Sequence, residues 1–345
     1  MTESRAPRPK RTLKTWSSLG QLGRIPSEYE VVTHALNYTT RPNRTSALES
    51  NPTTAANMWY LTYRDRSPLQ AEDWHGFRDP DELTYRKYVT MQDEQETVVE
   101  GILDEFGKVN HDTTLSPQWL QALSTVFTPM RYPAHAIQMM QAYLGQISPS
   151  SYITNCAGFA AADQLRLVSL VAYRTRQLQI AHPDVGFATN ERQVWEKHPD
   201  WQPARHALET ALIAYDWGEC LTALNLVLFP TLSEILLRQL GIVADANNDQ
   251  LTWLLLSNLD IDAERNSRWS AALARYAISK RPENASVLRK WVHRWTPRAD
   301  AAAAGLAHML AEIPEVSRDI DITMDAAKAA RERVLSEAGI MAAID

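Results

Sequence analysis

Apolar residues recur along most of this chain with a helical period, and no segment shows the regular alternation of a strand. Residues 151–181 read as one long helix, apolar on most sides around 156–173. A helix of that kind belongs in the middle of a bundle. Residues 80–106 predict another helix, with Leu83, Val98, Ile102 and Phe106 among its apolar positions. Asp79 suits its N-cap, Pro80 its first position, Asp81 and Glu82 its dipole, and Gly107 its end. "SPQWLQALSTVF" opens with Ser116 as cap and Pro117 in the first turn. Pro129 and Pro133 break or kink the chain after it, and a helix covers 133–147. Pro203 starts a helix to about Tyr215. "CLTALNLVLF" continues to Pro230, and a further helix ends near Gly241. "DANNDQ" at 245–250 is a turn and cap, and a helix through Lys280 comes next. Shorter helices fill 282–312, and the amphipathic "MDAAKAARERVLSEAGI" closes the chain. The pattern predicts an all-α fold with one continuous core from about 80 to 280.

Residues 1–66 break this pattern. Pro7, Pro9, Pro26, Pro42 and Pro52 interrupt them, and Trp16, Tyr29, Tyr38, Trp59, Tyr60 and Tyr63 recur through them. An irregular segment this rich in rings needs a surface to cover. Residues 5–14, "RAPRPKRTLK", are basic and suit an extended arm that lies on a partner or stays disordered. The expected division is an N-terminal arm (1–66), a helical bundle (67–281) and C-terminal helices packed on it (282–345).

Composition changes little. Apolar residues make up 45% and charged residues 22%, as in ordinary soluble domains. The 12 glycines are few, which favours helix. A net charge of −6 argues against bulk affinity for nucleic acid or anionic membrane. Cys156 and Cys220 provide neither a disulfide framework nor a cysteine metal site. No run of about 18 consecutive apolar residues is present, and the N-terminus has no apolar signal core. A cytoplasmic location is the expectation.

Motifs for nucleotide binding and serine hydrolysis are missing: there is no G-x-S-x-G, G-x-G-x-x-G or Walker A loop. One Glu-x-x-His occurs, Glu72 to His75. It sits in a connector bounded by Pro and Gly, and a dinuclear site needs two such pairs with two further carboxylates. His135, His182, His206, His293 and His308 show no ligand spacing. The carboxylates Asp93, Glu94, Glu96, Glu100, Asp104 and Glu105 fit the solvated or partner-facing side of the 80–106 helix better than a cation site.

Four segments carry a more specific signal: "KTWSSLGQLGRIPSEYEVVTHALNY", "RSPLQAEDWHGFRDPDELTYRKY", "YDWGECLTALNLVLFPTLSE" and "ERNSRWSAALARY". They resemble the β (small hydroxylase) subunit of soluble bacterial di-iron multicomponent monooxygenases, nearest to the toluene, alkene and isoprene branch. The resemblance covers most of the chain and is carried by Trp16, Pro26 to Glu30, Arg78-Asp79-Pro80 and Tyr215 to Glu219. It implies a ferritin-like, ribonucleotide-reductase-like bundle, in which the α subunit holds two irons and β lacks the ligands. Beside the α pattern, "DQLRL" stands where "DELRH" would be, so Gln164 and Leu167 replace Glu and His. "DAERN" stands at the second half-site, so Ala263 and Asn266 replace its Glu and His. The two lone carboxylates fall near Ala134 and Phe229. Carbon at these places agrees with physics, because polar groups left unpaired in a core are costly.

The resemblance therefore implies a non-catalytic scaffold with no cofactor of its own. Its expected partners are a di-iron α subunit and a small γ subunit in an (αβγ)2 hydroxylase, with effector protein, ferredoxin and reductase as separate chains. The complex would oxidise alkenes or aromatic hydrocarbons with O2 and electrons from NADH. Trp16, Tyr29 and Trp59 are the candidate anchors of the arm on α, and Trp74, Phe77, Arg78, Tyr85 and Tyr88 the candidate interface centre. The other reading of these rings is that they pack the chain's own arm. Two rival functions stay open: a ferritin-like metalloprotein using Glu72, His75 and the acidic helix, and a free-standing helical binding or regulatory protein.

Overall fold

The computed structural model describes residues 24–33, 55–314 and 316–340, and every regular element among them is helical. In chain order they are α1 (Glu28–Thr33), α2 (Ala55–Tyr60, prolonged by a π turn), α3 (Tyr85–Lys108), α4 (Pro117–Ala122), α5 (Arg131–Ile147), α6 (Ser151–Ala181), α7 (Glu191–Lys197), α8 (Gln202–Ala211), α9 (Trp217–Ala246), α10 (Gln250–Lys280), α11 (Asn284–Ala311) and α12 (Ile320–Glu337). Helices α5, α6, α9 and α10 form a four-helix bundle. α3 lies against α10 and reaches α6 through Tyr88, which stacks on Phe159. α11 covers α8 and α9, and α12 closes over α9, α10 and α11. One hydrophobic core runs from Tyr29 to Ile340.

Side-chain caps start most of the long helices. Thr84, Ser116, Ser150, Asp216, Asp249 and Asp319 each accept a hydrogen bond from a first-turn backbone N–H. Each satisfies one of the donors that a helix start leaves without a partner.

Three helical expectations need correction. α3 begins at Tyr85, not at residue 80. Asp79 instead accepts from the N–H groups of Asp81 (3.1 Å) and Leu83 (3.2 Å), closing a turn in which Glu82 has φ 44°. The Asp-Pro signal is real but belongs to that turn. Along α3, Val99 is buried while Val98 faces out. Second, Pro230 does not end a helix. π segments at Thr222–Leu228 and Glu234–Gln239 flank it, and their wider turn relieves the clash between a proline ring and the preceding turn. Third, residues 284–311 form one helix despite Pro297. Thr296 and Arg298 donate to the carbonyls of Val292 and Arg294 around it.

α9 also departs from the expectation that no segment could span a bilayer. It is long and apolar enough, yet 94% of its most apolar window is buried inside the protein. Its hydrophobicity is that of a central bundle helix. The N-terminal segment expected to be irregular contains helix at 28–33 and 55–65.

Two of the motifs that carry the resemblance meet at the bundle's edge. Glu30, almost fully buried, takes Arg24 at 2.6 Å and Arg78 at 2.9 Å, and Ser27 donates its N–H at 3.0 Å. The Arg24 hydrogen bond, with help from Ser27 and Arg78, holds the Glu30 carboxyl far below the usual range. Arg78 stacks over Tyr152, 4.2 Å from the ring centre, and Tyr29 packs on the same ring. The third motif is also a lock. Asp216 caps α9 and accepts from Ser67 (2.8 Å). Trp217 meets Trp74 edge-on at 4.8 Å. Glu219 accepts from Trp295 and Arg294 on α11. At Gly218 a Cβ would lie 2.8 Å from Leu69 and 3.1 Å from Trp291, so only glycine allows this approach.

Candidate functional site

The middle of the four-helix bundle gathers residues that are far apart in sequence. Ala134 on α5, Gln164 and Leu167 on α6, Phe229 on α9 and Ala263 on α10 line one small cavity of about 30 Å³. That is room on the order of two water molecules. Asn266, one turn after Ala263, joins a neighbouring layer of buried amides. Its Oδ1 accepts from Gln141 Nε2 (3.2 Å) and Trp269 Nε1 (3.1 Å), while Gln141 also donates to Asn225 Oδ1 (2.6 Å). The six positions singled out in the sequence are therefore one place in the fold.

Beside the cavity lies a feature that the sequence reading missed. Asp163 precedes Gln164, and Asp262 precedes Ala263. Each begins an Asp-x-x-Arg, with Arg166 and Arg265 one turn on. The two pairs cross between helices. Arg265 on α10 reaches Asp163 on α6 at 2.5 Å, and Arg166 on α6 reaches Asp262 on α10 at 2.9 Å. Arg265 also contacts Asp262 at 3.1 Å. α3 completes the clasp: Tyr88 donates to Asp163 (2.8 Å), and Gln92 to both aspartates (3.1 and 2.9 Å). Arg166 continues outward to Glu96 and Asn258. All four charged groups are nearly withdrawn from solvent. Burial, reinforced by the neighbouring Asp262, raises the Asp163 carboxyl to about 7 despite Arg265 and Tyr88. The signal was available in the sequence as the repeated Asp-x-x-Arg spacing within "DQLRL" and "DAERN".

This donor set does not fit a carboxylate-bridged di-iron centre. Such a centre needs four carboxylates and two imidazoles projecting inward. Ala134, Leu167, Phe229 and Ala263 carry no donor atom, and the remaining two positions offer neutral amides. The nearest carboxylates, Asp163 and Asp262, are engaged by the arginines. What the arrangement does instead is join α3, α6 and α10 through charge and hydrogen bonds around an apolar centre.

Glu72 and His75 do not share a bundle helix. Glu72 is exposed in the connector and His75 lies in the single 3-10 turn Trp74–Gly76, with its Nδ1 3.5 Å from Ser150 Oγ. The carboxylates of α3 at 93, 94, 96, 100, 104 and 105 are all exposed. The proposed interface residues divide. Tyr29, Phe77 and Tyr88 are buried in the chain's own core, so their expected role as docking anchors is corrected. Trp74 packs on Trp217, and Arg78 is committed to Glu30. Tyr85 and Tyr88 do not share an exposed face: Tyr85 is 75% exposed and Tyr88 8%. Trp59 is partly exposed beside Tyr63 and Tyr215, and donates to Tyr143 at 2.9 Å. Trp16 lies outside the described residues.

Fold and core together define a class: a ferritin-like helical bundle whose centre, where Ala134, Leu167, Phe229 and Ala263 meet, is apolar. The chain belongs to the methane/phenol/alkene hydroxylase family, whose model matches residues 59–281. It is 41% identical over 301 residues to the β subunit of the toluene-4-monooxygenase hydroxylase component from Ectopseudomonas mendocina, covering 87% of this chain and 91% of that one. It is 22% identical to the small subunit of the propane 2-monooxygenase hydroxylase component from Gordonia sp. (strain TY-5), over 82% of this chain and 76% of the relative. Among solved structures, a chain of toluene 4-monooxygenase, described with toluene bound in its resting active site, superposes with a TM-score of 0.81 at 40% identity, covering 89% of this chain and 99% of that one. Phenol hydroxylase from Pseudomonas sp. OX1 shares the fold, with a TM-score of 0.81 at 18% identity over 98% of each chain.

Proposed function

We propose that this chain is the non-catalytic β subunit of the hydroxylase component of a multicomponent di-iron monooxygenase acting on alkenes or aromatic hydrocarbons. The observation that carries this reading is the core itself. Five of the six residues read as former ligand positions, Ala134, Gln164, Leu167, Phe229 and Ala263, line one cavity. The naming of the relatives as hydroxylase β or small subunits supports it.

The chemistry then belongs to a large α subunit, which holds the two irons and the substrate pocket. O2 and electrons from NADH reach that subunit through a reductase, a ferredoxin and an effector protein. A small γ subunit completes an (αβγ)2 assembly in the cytoplasm. The present chain contributes shape. Its crossed aspartate–arginine pairs and amide layer make a stiff bundle that braces the partner's helices, and it holds no cofactor of its own. Trp59 and Tyr85, with Tyr173, Tyr215 and Trp253, are ring residues with surface left to offer a partner.

Co-expression with a large subunit bearing two Glu-x-x-His motifs tests the reading. The two chains should co-purify, and hydrocarbon hydroxylation should need both. A chain that stays monomeric beside that subunit, with hydroxylation undiminished by its omission, would overturn it.

A further inference from the structure

The C-terminal end of α11 carries a second cluster of metal-type ligands, remote from the bundle core. His308 lies in its last turn and Glu312 at its C-cap. Asp200 faces them from the 3-10 turn Pro199–Trp201. His308 Nδ1 is 3.1 Å from Asp200 Oδ2, and His308 Nε2 is 3.6 Å from Glu312 Oε1. One ligand atom from each residue can be chosen so that all lie within 4.8 Å of one another.

Several features show that this cluster is built. The turn bearing Asp200 is fixed from three sides. Trp201 is fully buried and donates its indole N–H to the carbonyl of Thr125 at 2.9 Å. The His198 ring accepts from the Asp200 N–H. Gly305, one turn before His308, lets the Asp200 backbone sit directly on α11, since a Cβ there would lie 2.3 Å from the Asp200 carbonyl oxygen. Among the described residues, the carboxylates' ion-pair partners are histidines alone, His198 and His308 for Asp200 and His308 for Glu312, and neither has an Arg or Lys partner. Glu312 stands where the helix dipole is negative, a place that favours cations and disfavours carboxylates. A metal cation would answer both problems.

We propose that Asp200, His308 and Glu312 bind one first-row divalent cation, with Zn2+ the best match, and that this ion staples the 199–201 turn to α11. Imidazole nitrogen and carboxylate oxygen are both donor types that Zn2+ takes in proteins, and a fourth position would be left to water. The separation of His308 Nδ1 and Asp200 Oδ2 already suits two ligands of one ion. Glu312, largely exposed, has a carboxylate oxygen within 4.8 Å of the other two ligand atoms. The ion's role is to hold two elements together, and none of its ligands lines the central cavity.

The test uses the full-length chain freed of metal by a chelator. Co2+ is titrated in while its visible absorption is followed, and Zn2+ is then added as competitor. The expected result is saturation at one equivalent with the intense spectrum of low-coordinate Co2+, reversed by Zn2+. His308→Ala and Asp200→Asn should each weaken binding by more than ~10-fold. His308 is about half exposed, and Asp200→Asn keeps the shape of a side chain that is 21% exposed, so the variants should melt close to the wild type in chelator. Absence of stoichiometric binding by the wild type would overturn the proposal, as would equal affinity in His308→Ala.

Discussion

Arg265 and Asp163 show how one residue pair can decide the character of a core. Both are nearly buried and lie 2.5 Å apart. Removing the guanidinium leaves two carboxylates in a place with little water. Arg265→Leu should therefore destabilise the chain by about 3–5 kcal/mol, the usual effect of breaking one side of a buried pair; chemical denaturation would measure it. Asp163 has a folded-state value of about 7 against 3.8 for the free side chain. A raised carboxylate favours the folded state while protonated. Its contribution is fully present below pH ~4 and is lost as pH rises through ~7. Glu30 and Asp249 act in the opposite direction. Both are lowered, Glu30 first by Arg24, and Asp249 by His111, Thr252 and Trp119, whose combined hydrogen bonds outweigh its burial. Their contribution is lost in acid. Asp163→Asn should flatten the fall in stability between pH ~4 and ~7 and leave the acid limb unchanged. An identical profile would assign that fall to other groups. The positions proposed as substituted ligands stand out in the sequence because carbon is conspicuous where the resemblance implies an acid or histidine. The arginine clasp leaves only its repeated spacing there, because a single Asp-x-x-Arg on a helix also describes an ordinary exposed pair.

Helix boundaries are readable wherever a polar side chain caps a helix. Ser116, Ser150 and Asp249 mark starts that the pattern places correctly. Prolines mislead, since tertiary packing overrides the local rule at Pro230 and Pro297. The aromatic N-terminal segment reads as a surface-seeking arm. Part of it instead enters the core: Tyr29 is buried and Glu30 anchors Arg78. This changes what truncation should do. A chain cut after Gly23 keeps the Glu30 lock, so its thermal unfolding should match the full chain. Loss of residues 1–30 removes a buried tyrosine and leaves Arg78 without its carboxylate, and should lower stability by ~3 kcal/mol or more. Circular dichroism melts of the two truncations would separate the cases. Equal melting would show that the lock adds nothing.

At the scale of the whole molecule, the bundle keeps the layout of a dinuclear metal protein while its centre is apolar. The fold class is legible because long helices with broad apolar faces have few other ways to bury them. Five of the six residues proposed as former ligand positions line one cavity. The surface that meets a partner is not legible, because a ring on a helix reads the same whether it faces its own core or another chain. Tyr88 and Tyr85 illustrate this, three residues apart and oppositely placed. The central claim is that the bundle has exchanged metal binding for packing. Iron analysis of the full-length chain, as wild type and as Gln164→Glu with Leu167→His, tests it most directly. One restored half-site still faces Ala263, Asn266, Ala134 and Phe229, so neither protein should retain two irons per chain after Fe2+ loading and desalting. The double variant should be less stable by a few kcal/mol from its unpaired buried groups. Two irons retained per chain in either protein, with unchanged stability, would contradict the account.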